Sequence, residues 1–293
     1  MSKRISGRAA GHVLASLTVL VWGVTFIASE RLLTFLTTSQ LLFVRFVIAF
    51  LVLFLACPKI MKPRGLKKEL KFAVLSATGV IGYYFCENYA IMHGGAANTS
   101  ILISCIPIVT LILMCIFGKK NRLTWKHAVG FAAAIAGVVC VVYNGAVIRL
   151  ELTPGGVLGA FGACICWAVY SVLVADCSSE NPVQLARRVI MWGLIFMTPY
   201  SIIKDGLPPM APFRNIGNIA YMLILGVLGS GFCYSMWSRS IKLLGVDIAT
   251  NYIYVQPFIT LAAAVILGTS SFSLMSVIGA VLILVGVVIS DKA

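Results

Sequence analysis

The sequence predicts an all-α integral membrane protein of ten transmembrane helices, built as two inverted five-helix repeats with both termini in the cytoplasm. Three observations lead there. Of its 293 residues, 60% are apolar and 11% charged, with a mean hydropathy of +1.00. A water-soluble core cannot hide that much apolar surface, whereas lipid accepts it as solvent. Apolar runs of about 18 to 22 residues recur along the chain, the length that crosses roughly 30 Å of hydrocarbon. Finally, the landmarks of the first five runs return in order in the second five.

The spans run roughly over 11–29, 40–57, 70–92, 97–117, 126–144, 155–175, 185–203, 217–240, 247–267 and 273–290. The first follows a basic start, as a signal peptide would. It is too long for one and ends at Ser29-Glu30 without a small-residue cleavage site, so it reads as an uncleaved helix. In span seven Arg187 and Arg188 shorten the apolar part, and Pro208, Pro209 and Pro212 mark a turn-rich external loop before span eight. The loops are short and leave no room for a sizeable soluble domain.

A net charge of +14 suggests nucleic acid until its placement is read. Lys3, Arg4 and Arg8 precede span one; Lys59, Lys62, Arg64, Lys67, Lys68 and Lys71 lie between spans two and three. Lys119, Lys120, Arg122 and Lys126 lie between spans four and five, and the alternate loops carry only Arg31 and His93. This is the positive-inside pattern, which anionic headgroups reinforce, and it puts the N-terminus and the Asp291-Lys292 end in the cytoplasm. The nine cysteines lie almost wholly within spans, with no CxxC spacing, and read as small apolar residues. His12, His93 and His127 fall near span ends, where headgroups are their expected neighbours. No metal spacing, phosphate loop or dinucleotide pattern is present, so no cofactor is expected.

The repeat is explicit. Trp22 is matched by Trp167, Arg45 by Arg188, Gly79 by Gly229 and Pro107 by Pro257; Phe117-Gly118 is matched by Leu267-Gly268, and Gly130 and Gly137 by Gly279 and Gly286. The offsets run from 143 (188 − 45) to 150 (257 − 107). Five spans is an odd number, so tandem copies over 11–145 and 155–291 insert with opposite orientation. Inverted repeats place a binding site at their interface near the bilayer midplane.

These residues carry a resemblance to a known family. Trp22, Arg45-Phe46, Tyr89-Ala90 before Gly95-Ala96-Ala97-Asn98, Pro107 and Gly130 to Gly137 recur in order as Trp167, Arg188, Gly245, Pro257 and Gly279 to Gly286. Over nearly the whole length the chain resembles the drug/metabolite transporter superfamily, in its ten-helix EamA-type branch. The resemblance implies an inner-membrane carrier whose central cavity opens alternately to each side, with spans five and ten peripheral. One departure is plain: where family members often carry a glutamate after spans four and nine, this chain has Lys119-Lys120-Asn121 and Thr269-Ser270-Ser271.

Glu87 is the one acidic residue placed well inside an apolar span. A carboxylate there marks a pathway, a proton site or a charge partner, and Arg45 lies at nearly its depth. A Glu87–Arg45 ion pair and a proton-coupling role both follow as readings. Arg188, near the opposite mouth, is either the equivalent gate to Arg45 or a side chain snorkelling to headgroups. Ser100 and Ser104, with their mates Thr250 and Tyr254, sit one turn apart on helix faces beside the kinks at Pro107 and Pro257. That marks spans four and nine as cavity-lining elements. Asn88, Asn251, Tyr252 and Gln256 add polarity, and Trp22, Trp167, Tyr170, Tyr234 and Trp237 add rings suited to an amphipathic solute with a cationic group. The glycines of spans five and ten read as close-packing faces, available for a homodimer contact.

The expected function is secondary transport, with export of a small organic metabolite such as an amino acid, driven by its own gradient or by protons. Two alternatives stay open: uptake or exchange of sugar- or nucleotide-linked metabolites, and a polytopic enzyme of lipid or cell-wall assembly. The first needs several buried basic residues, and the second a cluster of acids or histidines at one membrane face.

Overall fold

The computed structural model describes residues 2–59, 62–63, 65–118, 124–142, 153–268 and 274–291. The expected span ends at 143–145 and 273, Arg64, and the departures at Lys119-Lys120-Asn121 and Thr269-Ser270-Ser271 lie outside the described residues. Every regular element among the described residues is helical. The helices are α1 (Ser2–Leu33), α2 (Thr38–Ala56), α3 (Leu66–Ser76), α4 (Tyr83–Ile103), α5 (Ile106–Ile116), α6 (Trp125–Val142) and α7 (Pro154–Ala175). They continue as α8 (Pro182–Asp205), α9 (Ile216–Leu223), α10 (Cys233–Leu244), α11 (Val246–Asn251), α12 (Gln256–Ile266) and α13 (Leu274–Asp291). Wider π-helical stretches, Ala77–Gly82 and Ile224–Phe232, join α3 to α4 and α9 to α10.

Five segments are long and apolar enough to cross a membrane: Gly7–Leu33, Thr38–Ala56, Pro154–Ala175, Ile216–Leu244 and Val246–Ile266. The bent pair Leu66–Ile103 and Ile106–Ile116, with a 52° angle between its parts, makes a sixth. Local chemistry sets the boundaries. Thr37 and Gln40 form a capping box at the start of α2. Thr153 caps α7 and Asn181 caps α8, each followed by proline in the first turn, where its missing N–H costs nothing.

The expected third and fourth spans are separated by one residue only. Gly95 (φ 78°, ψ 163°) breaks α4 with a backbone conformation essentially reserved for glycine. Gly245, 150 residues on, does the same between α10 and α11 (φ 96°, ψ 162°). The prolines act differently from the expected kink within one helix. Pro107 and Pro257 each sit in the first turn of a new helix, after an interruption at Ser104-Cys105 and a 3-10 turn at Tyr252–Val255. The Leu102 carbonyl beside that interruption takes the Cys105 N–H at 3.1 Å and also meets the Cys164 thiol at 3.4 Å.

Packing follows the duplication. α1 lies against α10, α12 and the π stretch Ile224–Phe232; α7 lies against α4, α5 and the π stretch Ala77–Gly82. α2 packs along α8, and α6 along α13. The breaks fall at opposite ends of α1: Gly11 packs on Leu244 beside Gly245, while Glu30 reaches Gly95. We call the end bearing Lys67, Lys68 and Lys71 the basic end and the end bearing Gly95 the far end.

Three expectations are revised here. Gly130, Gly137, Gly279 and Gly286 are buried, and a Cβ on Gly286 would stand 2.5 Å from the Gly130 carbonyl. These glycines serve the contact between α6 and α13 within the chain, so their faces are not presented to a second copy. His12 is bonded to the Tyr252 hydroxyl at 2.6 Å, and His127 is buried against Thr124 at the start of α6. Neither is a headgroup contact.

The two glycine breaks predict a stability signature. Gly95→Ala and Gly245→Ala each force a Cβ into a disfavoured region and are expected to cost about 1–3 kcal/mol. Gly7→Ala, inside α1 with only an ordinary contact to Leu243 at 3.8 Å, is expected to be neutral or stabilising. Thermal unfolding in detergent separates them; wild-type melting temperatures for both break variants would contradict the assignment.

Candidate functional site

At the middle of the bundle the two halves meet around one small space. α1 presents Trp22, Thr25 and Phe26, which share a face at a spacing of three and four. α4 presents Tyr83, Tyr84 and Glu87, α5 adds Ile106, and the second half adds Trp167, Ile253 and Gln256. The volume they enclose is about 10 Å³, room for one water and no solute. Held this way, the box is shut.

Its walls are rings in edge contact. Trp22 and Trp167 meet at 5.0 Å with their planes 89° apart, and Trp22 meets Trp237 at 5.1 Å. Trp167 touches Tyr83 at 4.8 Å and Tyr170 at 5.0 Å. Such tilted pairs set the positive ring edge on the negative face and hold the rings in fixed places. The π stretches dock here. The Trp22 indole N–H donates to the Gly229 carbonyl at 3.0 Å, and the Tyr234 hydroxyl donates to the Gly79 carbonyl at 2.5 Å. A Cβ at Gly79 would stand 2.3 Å from the Tyr170 ring, so only glycine lets this backbone reach the aromatic layer.

Glu87 is 4% exposed and accepts the Tyr83 hydroxyl at 2.9 Å. Arg45 is fully buried. Its Nε donates to Ser230 at 2.5 Å and its Nη2 to the Tyr84 hydroxyl at 2.8 Å, with the guanidinium 4.0 Å from the Tyr84 ring centre. The expected ion pair between Arg45 and Glu87 is therefore not formed. Tyr83 and Tyr84, their rings 4.9 Å apart, take one partner each. Consecutive helical residues point about 100° apart, so adjacent tyrosines can serve an acid on one side and a base on the other.

Arg188 neither snorkels nor stands free. It grips Glu69 of α3 with Nε at 3.0 Å and Nη2 at 2.5 Å, and the Trp192 indole donates to the same carboxylate at 3.1 Å. Its neighbour Arg187 donates to the carbonyls of Cys57 and Lys59 at the end of α2.

Of the residues singled out from sequence, Trp22, Glu87, Trp167 and Gln256 line the box, and Tyr170 and Trp237 form a second layer behind Trp22 and Trp167. Ser100, Ser104 and Thr250 do not face it. Their hydroxyls return to Ala97, Ile101 and Val246 of their own helices at 2.7, 2.5 and 2.9 Å, the usual resort of serine and threonine in apolar surroundings. Tyr254 is buried beside Phe131, 6.2 Å between ring centres, and Asn251 is buried away from the box. Asn88, next to Glu87, is fully buried with both amide atoms unpartnered. Trp167 Nε1 and Gln256 Oε1, on the box itself, are also unpartnered. Thr25, Tyr83, Tyr84 and Ser230 escaped sequence reading. The offset of 150 that ties Pro107 to Pro257 also ties Tyr84 to Tyr234, the one signal that pointed to them.

The two ends differ. At the far end, clefts of about 660 and 550 Å³ share Glu30, Thr34, Gly94 and Gly95. Glu30 accepts the Ala96 N–H at 2.9 Å and so caps the helix restarted after Gly95. At the basic end α3 is tied to the α7–α8 turn by ion pairs.

Comparison with known proteins agrees with this architecture. Among the similar chains is an uncharacterised transporter from Archaeoglobus fulgidus, 25% identical over 94% of this chain and 97% of its own length. Another is a probable terminal-alkyne amino-acid exporter from Streptantibioticus cattleyicolor, 26% identical over 85% of this chain and 82% of its own. A probable amino-acid metabolite efflux pump from Escherichia coli K12 is 25% identical over 95% and 93%. A solved crystal structure superposes with a TM-score of 0.75 at 18% identity, over 96% of both chains, and shares the fold. The profile of the EamA-like transporter family matches residues 9–143 and again 154–290, so this multi-pass membrane protein belongs to the EamA-like transporter family.

Proposed function

We propose that the chain is an alternating-access carrier that exports small organic solutes of the amino-acid kind, with the aromatic box as its occluded binding site. The observation that carries this reading is the shut box of about 10 Å³ at the meeting of the two family copies, with clefts of about 660 and 550 Å³ open at the far end. In this reading ten spans form two inverted repeats, 11–145 and 155–291, with both termini and the basic end in the cytoplasm. Four features support it: the glycine breaks at opposite ends of α1, the matched π stretches, the exchanged packing partners of α1 and α7, and the lysines of α3.

The box supplies both signs of recognition. Glu87 and Gln256 Oε1 accept, Trp167 Nε1 donates, and indole and phenol faces surround them. A solute carrying an ammonium group and a hydrogen-bond acceptor would satisfy these buried atoms, and the cation would gain from the rings. The exporters among the relatives are named for such solutes. Exchange of nucleotide-linked sugars is disfavoured because the three arginines that are buried or half-buried among the described residues are engaged by protein groups: Arg45 by Tyr84 and Ser230, Arg187 by backbone carbonyls, Arg188 by Glu69. A lipid or cell-wall enzyme would need a cluster of acids or histidines at one face; Glu69, Asp176 and Glu180 at the basic end are instead paired with arginine and lysine. Glu87 is the proton-coupling group in this account. It is the one carboxylate on the box, it lacks a direct cation partner, and expanding the box would expose it to either side in turn.

Purified protein in liposomes, tested with an amino-acid panel, is expected to move at least one solute. A proton gradient directed against the solute flux is expected to accelerate it several-fold, and Glu87→Gln to keep downhill exchange while losing that acceleration. Movement of no solute under any gradient would contradict the carrier; acceleration that survives Glu87→Gln would remove Glu87 from coupling. Trp167→Ala is expected to raise the KM of a cationic solute roughly tenfold or more. An unchanged KM would put the binding site elsewhere.

A further inference from the structure

The basic end carries a cluster of ion pairs between α3 and the other half of the chain. Within one turn of α3 stand Lys68, Glu69 and Lys71, and all three reach the other half of the chain. Lys68 meets Glu180 at 3.5 Å, Lys71 meets Asp176 at 3.8 Å, and Glu69 receives both nitrogens of Arg188 and the Trp192 indole. The Lys71–Asp176 pair is well exposed and contributes little. The Glu69–Arg188 pair is different: its side chains are 14% and 12% exposed, and the contact is bidentate. Beneath these pairs lies Cys177, 5% exposed, in the α7–α8 turn. Burial pushes its thiol pKa up.

At the far end, the positions 150 residues after Lys68, Glu69 and Lys71 hold Asn218, Ile219 and Tyr221. The Asn218 side chain donates to the nearby Pro212 carbonyl at 2.9 Å, within the same half of the chain. The α1–α2 turn, Thr34-Phe35-Leu36-Thr37, which corresponds to the α7–α8 turn, has no charged residue. The two mouths are alike in backbone and unlike in charge.

We propose that Lys68, Glu69 and Lys71, with Asp176, Glu180 and Arg188, form a one-sided ionic latch that holds the cytoplasmic mouth shut, with Glu69 as its hub. Opening inward requires α3 to part from the α7–α8 turn, and the Glu69–Arg188 contact is the strongest bond across that seam. Among the described residues no ion pair joins α9 to the α1–α2 turn; the far end has instead hydrogen bonds from Thr37 and Ser39 of the first half to Asp205 of α8. With the ion pairs on one side, the resting protein faces outward. Glu69 and Arg188 are gate-positioning residues that touch no solute. This inference rests on the alternating-access reading above.

The test uses a native reporter. With the other eight cysteines replaced, Cys177 is alkylated by a membrane-impermeant maleimide from the cytoplasmic side of liposomes containing the full chain. A second variant carries Thr34→Cys as its single thiol, on the far-end clefts. Glu69→Gln is expected to speed Cys177 labelling roughly tenfold and to slow Thr34→Cys labelling from outside, because one mouth closes as the other opens. The charge exchange Glu69→Arg with Arg188→Glu is expected to return both rates toward those of the parent. Unchanged Cys177 labelling in Glu69→Gln overturns the latch. So does faster Cys177 labelling with Thr34→Cys unaffected, which would mean a merely loosened turn, and so does an exchange variant as fast as Glu69→Gln. The labelling reads gate position whether or not a solute moves. Reciprocal labelling without transport would therefore fail the carrier reading and leave the latch standing.

Discussion

Helix breaks at membrane depth govern how the two halves of this protein are joined. In lipid no water stands ready to bond an open carbonyl or N–H, so a break survives only where protein groups replace the lost partner. The chain breaks its helices at matched places, and backbone groups beside the breaks meet specific partners. The Trp22 indole bonds the Gly229 carbonyl, and the Tyr234 hydroxyl bonds the Gly79 carbonyl. Glu30 takes the Ala96 N–H, and the Cys164 thiol meets Leu102. Except for the Glu30 cap, which stays within the first copy, each of these bonds crosses from one family copy to the other. The halves complete each other's backbone, and the place where they do so at mid-bundle is also the aromatic box.

That arrangement explains why polar groups cluster where the chain is most apolar. Trp22, Tyr234, Tyr83 and Tyr84 bring rings that pack well and single polar atoms that reach backbone, acid or guanidinium. Arg45 can be buried because Tyr84 and Ser230 meet two of its nitrogens. Glu87 is left with one donor, Tyr83, and an opening onto the box. A carboxylate so placed gains from whatever cation or proton arrives, which is what a coupled carrier requires.

Much of this was legible in the chain. Hydropathy marked the apolar segments, the spacing of Pro107 and Pro257 exposed the duplication, and the repeat pair Trp22 and Trp167 marked two rings of the cavity. The serine and threonine faces misled, because the hydroxyls of Ser100, Ser104 and Thr250 bond to their own backbone, an outcome that helical spacing cannot distinguish from cavity lining. The π stretches left no trace in periodicity; only glycine at 79 and 229 hinted at them. The Arg45–Glu87 pair looked natural from depth alone, yet depth says nothing of two tyrosines placed between. Glu69 was passed over because it sits among loop lysines, and its partner Arg188 became visible only once α3 and α8 were packed side by side.

In alternating access the box between the two copies is reached from one side of the membrane at a time. Thr25 lines it and is 5% exposed, so Thr25→Cys in an otherwise cysteine-free chain is the direct probe. Slow modification by a small impermeant methanethiosulfonate is expected from either side, slowed further from both sides by a transported solute. Fixing α3 to the α7–α8 turn with a cross-link is expected to abolish modification from the cytoplasmic side alone. Modification from neither side, or from both sides with the cross-link in place, would contradict alternating access.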